Sequence, residues 1–193
     1  MISRLKGVLV LSEPDRVELM TSAGVGYEVQ VPLGVYEQLP RPGREVELLV
    51  RQVVREDSVA LFGFLEPVER TLFERLLTAS GVGPRLALTI LSSLSPGRLA
   101  RAVRDRDAAA LTTVNGVGKK TAERLILELA DKLDDLPPGA EGERDRGAGD
   151  AVRALEVLGF LPADAERAVR EVLREEGELA STELVKAAVG RLR

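Results

Sequence analysis

Two stretches of this chain carry residues that could do chemistry, and they are near-copies of each other. Leu76-Leu77-Thr78-Ala79-Ser80-Gly81-Val82-Gly83-Pro84-Arg85-Leu86-Ala87 aligns with Leu111-Thr112-Thr113-Val114-Asn115-Gly116-Val117-Gly118-Lys119-Lys120-Thr121-Ala122 at an offset of 35 residues. In each copy a helix ends, a Gly-Val-Gly turn follows, and a basic residue stands two positions after the second glycine. Glycine permits positive φ and lets backbone approach a ligand closely, while valine pins the turn to a core. The first N–H groups of the helix that follows have no internal partner, and the helix dipole adds about half a positive charge there. Such a turn is a seat for an anionic oxygen. Arg85 in the first copy and Lys119 with Lys120 in the second bring full charges, and Arg124 lies four residues beyond Lys120 on the same helical face. Backbone phosphates of DNA fit this chemistry, and contacts of this kind hold a duplex without reading its bases. The plainer alternative, two packed helical hairpins with solvated cations, predicts no link between DNA affinity and salt.

Composition narrows the rest. The 193 residues include no Cys, His or Trp, which removes disulfides, Cys/His zinc sites, thiol nucleophiles and imidazole acid-base chemistry. Only carboxylates, Lys, Tyr and hydroxyls remain should the chain be an enzyme, and no cofactor is expected. Met1-Ile2-Ser3-Arg4-Leu5-Lys6 lacks the apolar core of a signal peptide, and no apolar run approaches the roughly 20 residues that span a bilayer. The expectation is a cytoplasmic protein with no membrane partner. The net charge of -4 argues against nucleic acid only on average. Residues 65–133 hold 11 Lys and Arg against 8 Asp and Glu, a local +3, and this is the segment with the repeated turn.

The elements that must position these residues read as an α+β multidomain chain. Residues 1–64 show β-rich runs at 2–10, 17–21, 25–31, 46–54 and 59–64, separated by turn clusters such as Pro40-Arg41-Pro42-Gly43. Their spacing suits an OB-like β-barrel, with an antiparallel sheet or SH3-like barrel as the alternative. Residues 65–133 switch to helical periodicity. Pro67, Pro84 and Pro96 mark helix starts, and helices are predicted near 67–78, 84–92, 96–104, 107–113 and 118–133. Together they make a tandem helix-hairpin-helix domain. Residues 134–149 mix Pro, Gly and charge with one large apolar residue and read as a flexible linker. Residues 150–193 hold three amphipathic stretches, near 149–158, 163–175 and 181–192, which read as a small three-helix domain that docks on a partner. Its expected core includes Leu155, Leu158, Val169, Val172 and Leu184.

Between the last two strands, Val53-Val54-Arg55-Glu56-Asp57-Ser58-Val59 reads as a hairpin with two carboxylates at its tip. Three readings stand: ordinary solvated turn charges, a paired-carboxylate Mg²⁺ site that lacks a visible third ligand, or negative charge placed beside DNA to repel phosphates.

The whole chain resembles the RuvA family, the junction-recognition subunits of bacterial recombination. The carrying segments are Met1 to Gly7, Gly24-Val25-Gly26-Tyr27-Glu28-Val29, Val53 to Asp57 with Phe62-Gly63-Phe64, Glu69-Arg70-Thr71-Leu72-Phe73, and the two Gly-Val-Gly copies through Ala87 and Leu125. Leu158-Gly159-Phe160 fits the small last domain. The resemblance implies a non-enzymatic, non-sequence-specific scaffold that binds four-way (Holliday) junctions as a homotetramer, or as an octamer of two facing tetramers. It further implies recruitment of the hexameric RuvB AAA+ ATPase through residues 150–193 for branch migration, with the RuvC resolvase as a further partner. It makes Glu56 and Asp57 an acidic pin at the junction centre, and Gly81, Gly83, Arg85, Gly116, Gly118, Lys119, Lys120 and Arg124 the DNA-backbone contacts. Two departures are visible: Arg85 stands where many relatives carry Lys, and Asn115 where Pro often precedes the second turn. The competing function is a helix-hairpin-helix repair enzyme, a glycosylase or nuclease. Its nearest candidate carboxylates, Asp134 and Asp135, lie at the edge of the expected linker.

Overall fold

A computed structural model describes residues 1–133, 143–176 and 181–192. The chain divides into two units, Met1–Leu136 and Pro137–Arg193.

The first unit opens with five strands, β1 (Arg4–Glu13), β2 (Arg16–Met20), β3 (Gly26–Gln30), β4 (Glu45–Val54) and β5 (Val59–Phe64). They close into a barrel in the order β1-β2-β3-β5-β4, antiparallel throughout except for the single β3–β5 pairing of Gln30 with Phe62. This is the OB arrangement, so the SH3-like alternative is set aside. Alternation along β1 buries Leu5 and Leu9 and turns Arg4 and Lys6 outward, as period-2 patterning requires. Leu9, Val17, Leu19, Val29 and Leu48 fill the interior. One element is absent from the sequence reading: α1 (Leu33–Tyr36), a single helical turn after Pro32 that drives Val35 into the barrel core. Four residues are too few to show a helical period.

The helices follow: α2 (Pro67–Leu76), α3 (Pro84–Ser93), α4 (Pro96–Arg104), α5 (Ala108–Thr112) and α6 (Lys119–Leu129), the last tightening into a 3₁₀ turn at Ala130–Lys132. All five starts fall within one residue of the expected positions, because proline and the capping residues mark them. Leu72, Phe73, Leu76, Ile90, Leu99, Leu111, Leu125 and Leu129 are buried. Barrel and helices share a core. Phe73 of α2 packs against Phe62 and Phe64 of β5, with ring centroids 4.9 and 5.1 Å apart in tilted geometry.

The second unit contains α7 (Glu143–Val157), α8 (Pro162–Glu176) and α9 (Ser181–Leu192). Ala151, Leu155, Ala165, Val169, Val172, Leu184 and Ala188 form its core. Two details correct the sequence reading. First, α7 begins at Glu143, so the expected linker 134–149 overlaps its first two turns; Glu, Arg and Ala are strong enough helix formers to carry Gly147 and Gly149 at about 1 kcal/mol each. Residues 134–142 lie outside the described residues. Second, Leu158 is exposed, because α7 ends at Val157 and Gly159 turns the chain at φ +94°, which brings Phe160 onto the core instead.

The start of α2 makes a pH-dependent contribution. Pro67 opens the helix, and the Glu69 carboxylate turns back to accept the N–H groups of Leu65 and Glu66 at 3.1 and 3.0 Å. Burial raises the Glu69 pKa above the ordinary 4.5, more than the two N–H groups lower it. A carboxyl whose folded pKa is raised contributes stability that is fully present below its unfolded pKa and is lost as pH climbs through the folded value. Glu69→Gln keeps an acceptor oxygen and has no charge to desolvate. Its stability relative to the parent, measured by urea unfolding, is therefore expected to be highest near neutral pH, to fall as pH drops from the raised folded value toward 4.5, and to level off below 4.5.

Candidate nucleic-acid interface

The two Gly-Val-Gly turns have the same conformation. Gly81 and Gly116 both lie at φ +85°, where a side chain is strained. Gly83 and Gly118 both precede their helices in extended conformation, at φ -91°, ψ 172° and φ -85°, ψ 171°. The hydrogen bonds repeat at the same offset. Val82 N–H donates to the Ala79 carbonyl at 3.1 Å and Val117 N–H to that of Val114 at 3.0 Å; Ala87 donates to Gly83 and Ala122 to Gly118, each at 2.9 Å. Thr78 and Thr113 each fold their hydroxyl onto the carbonyl three residues back. Val82 and Val117 are buried, as the anchoring role requires.

How the helices start separates these two from their neighbours. In α4, the Ser95 hydroxyl accepts from Arg98 N–H; in α5, the Asp107 carboxylate accepts from Ala110 N–H; α2 uses Glu69. By contrast, α3 and α6 begin at Gly83 and Gly118, which have no side chain to offer, and no side-chain cap is present. Their leading N–H groups are left for an outside acceptor. Gly118 is informative because nothing in the fold demands glycine there. Its φ suits any residue, and a Cβ would meet no atom within 4 Å. What glycine secures is open space in front of a helix N-terminus.

Cations surround these openings. Arg85, Lys119 and Lys120 are exposed and form no ion pair among the described residues. Arg124 lies on α6 four residues after Lys120. Its Nη1 reaches across to the first turn, donating to the Ser80 carbonyl at 3.4 Å and lying 3.8 Å from where a Cβ on Gly81 would sit. In return, Leu86 of α3 packs on Gly116 of the second turn. The two hairpins therefore brace each other.

The acidic tip joins this region through a residue that the sequence reading did not single out. Arg55 N–H donates to the Ser58 carbonyl at 2.8 Å and closes the β4–β5 turn, leaving Glu56 and Asp57 exposed at its end. The Arg55 guanidinium extends to within 3.9 Å of the Cβ position of Gly83, at the start of α3. Arg55 is thus a third cation at the first turn, beside Arg85 and Arg124. Only the folded contact between positions 55 and 83 reveals it. Among the described residues no group of three or more acidic side chains could hold a metal ion, and no helix is long and apolar enough to cross a membrane. Asp134 and Asp135, the carboxylates considered for an enzyme, lie outside the described residues.

Barrel, turns and uncapped helices define a class: a tandem helix-hairpin-helix protein carried on an OB-type barrel. Comparison with known proteins agrees along the whole length. Residues 1–63 match the RuvA N terminal domain, 73–131 the SAM-like helix-hairpin-helix tandem, and 147–192 the RuvA C-terminal domain. Similar proteins include those of Gemmatimonas aurantiaca (47% identical, covering 100% of this chain and 98% of the relative) and Methylibium petroleiphilum (46%, 99% and 100%). A third is that of Cellvibrio japonicus (42%, 100% and 98%), and all three bear the name Holliday junction branch migration complex subunit RuvA. The chain belongs to the RuvA family.

The site predicts opposite behaviour for two glycines in one turn. Gly116→Ala forces a Cβ into a left-handed conformation, 3.3 Å from Leu86 Cδ1, and is expected to cost about 1–2 kcal/mol of stability. Gly118→Ala is expected to leave thermal stability unchanged within about 0.5 kcal/mol while weakening DNA binding, since its methyl group occupies the approach to the helix. Thermal unfolding and fluorescence anisotropy with labelled DNA separate the two effects.

Proposed function

We propose that this protein binds four-way DNA junctions through their phosphate backbones and serves as the non-enzymatic scaffold of a branch-migration complex. The observation that carries the reading is the pair of uncapped, glycine-fronted helix starts, each flanked by unpaired cations, in a stretch whose other helices are capped. Each start supplies N–H donors and charge to one phosphate region, with no group arranged to read a base. Gly81, Gly83, Arg85, Gly116, Gly118, Lys119 and Lys120 form the two grips. Arg124 and Arg55 supplement the first.

Residues 1–64 then carry the pin, 65–133 hold DNA, and the helices of 150–193 engage a motor, the hexameric RuvB ATPase. Four copies arranged around the junction would bring four Glu56–Asp57 tips to its centre, where carboxylates repel phosphates and keep exchanging strands apart. Two facing tetramers and contact with the RuvC resolvase belong to the same proposal, as does a cytoplasmic site of action. The names borne by the relatives support the scaffold over a glycosylase or nuclease.

Gel shifts with a four-way junction and a linear duplex of equal length test this directly. The junction is expected to bind more tightly at moderate salt, with affinity falling by orders of magnitude as salt rises, as for a protein neutralising several phosphates. Lys119→Glu with Lys120→Glu is expected to abolish that binding; equal affinity for duplex and junction would overturn the reading. The pin makes a separate prediction. Glu56→Gln with Asp57→Asn removes repulsion and is expected to preserve or raise junction affinity while altering motor-driven migration in a strand-exchange assay. A collapse of affinity would exclude a repulsive role.

A further inference from the structure

The first Gly-Val-Gly turn is held from outside its own hairpin. Glu128, on the helix that follows the second turn, accepts the Ser80 backbone N–H at 2.9 Å and the Ser80 hydroxyl at 3.4 Å, both through Oε2. One turn earlier on the same helix, Arg124 donates to the Ser80 carbonyl. Both backbone polar groups of the residue preceding Gly81 are therefore engaged by α6, 44 and 48 residues away in sequence. Lys132, just past α6, adds a bond to the Thr78 hydroxyl at 2.6 Å, and Arg75 donates to the Lys132 carbonyl. The Ser80 N–H holds the Glu128 carboxylate below the usual range, reinforced by its hydroxyl and by Arg124 and Lys132.

Nothing in the local chemistry of the first hairpin requires this. Its hydrogen bonds from Val82 to Ala79 and from Ala87 to Gly83 match those of the second hairpin, whose corresponding residue is Asn115. The bonds from α6 instead relate one turn to the other. Two phosphate grips discriminate a duplex arm by the distance and angle between them, so an element spanning both sets that geometry.

We propose that Glu128 is a positioning residue for DNA binding: by holding the Ser80 N–H from α6, it fixes the first anion site relative to the second so that both grip one duplex arm at a set spacing. The inference rests on the reading of the two turns as backbone grips. In this arrangement Glu128 acts through Ser80 and not through contact with DNA. Its carboxylate would repel phosphate in such a contact, so its removal would strengthen binding in a purely electrostatic account and weakens it in a positioning one.

The test uses the full chain with Glu128→Ala and Glu128→Gln. Amide hydrogen exchange followed by NMR is expected to show the Ser80 N–H exchanging about tenfold faster in the alanine variant, with the α3 and α6 interiors unchanged and partial recovery in the glutamine variant. Junction affinity, measured by anisotropy at fixed salt, is expected to fall about tenfold for Glu128→Ala and to be largely restored by Glu128→Gln. A double-mutant cycle supplies the readout that general destabilisation would not move. The effects of Glu128→Ala and Arg85→Ala are expected to be less than additive, because a displaced first turn has already lost Arg85, whereas Glu128→Ala and Lys119→Ala add. Unchanged Ser80 exchange, tighter junction binding by Glu128→Ala, or additivity with Arg85→Ala would overturn the proposal. Should the parent protein show no salt-dependent junction binding, the grip reading itself fails, while the exchange measurement still reports whether Glu128 holds the turn.

Discussion

An α-helix cannot satisfy its own first N–H groups, and how a chain disposes of them is a choice made by one residue. Here Ser95, Asp107 and Glu69 satisfy them internally at three helices, and Gly83 and Gly118 leave them open at two. The rest of the first unit follows from keeping those two openings accessible. Val82 and Val117 anchor the turns so that the open donors face outward, and the cations gather at the same ends. A peptide dipole and a few exposed side chains are individually weak in water. Placed together at a fixed point, they define where a polyanion can lie.

The net charge of -4 is unevenly spread. Arg85, Lys119, Lys120, Arg124 and Arg55 lie near two helix starts, while acidic residues of the barrel pair with basic ones. Arg4 with Glu47, Lys6 with Glu45, and Arg16 with Glu13 and Glu28 neutralise the outer barrel face. Glu56 and Asp57 are left out of that pairing, at the end of a turn that their neighbour Arg55 ties toward α3. Positive and negative features thus sit close together without cancelling.

Much of this was legible from residue types. Five strands, the helix starts at Pro67, Pro84 and Pro96, and the duplicated turn all follow from local signals, because proline, glycine and period-2 alternation act over a few residues. The start of α7 is hidden because glycines at 147 and 149 resemble linker composition, and the exposure of Leu158 is hidden because periodicity alone does not show where a helix stops. Arg55, Ser80 and Glu128 were not legible at all. Their significance lies in contacts spanning 28 and 48 residues, created by the way the barrel and two hairpins pack, and no spacing rule in one sequence announces them.

The aromatic contact of Phe73 with Phe62 and Phe64 has a mechanical consequence. Phe62 and Phe64 lie on β5, the strand that leaves the acidic tip, and Phe73 lies on α2, the helix that leads into the first turn. Three packed rings tie that strand to that helix, so the tip and the first turn share one mounting, like two jaws cut from a single caliper.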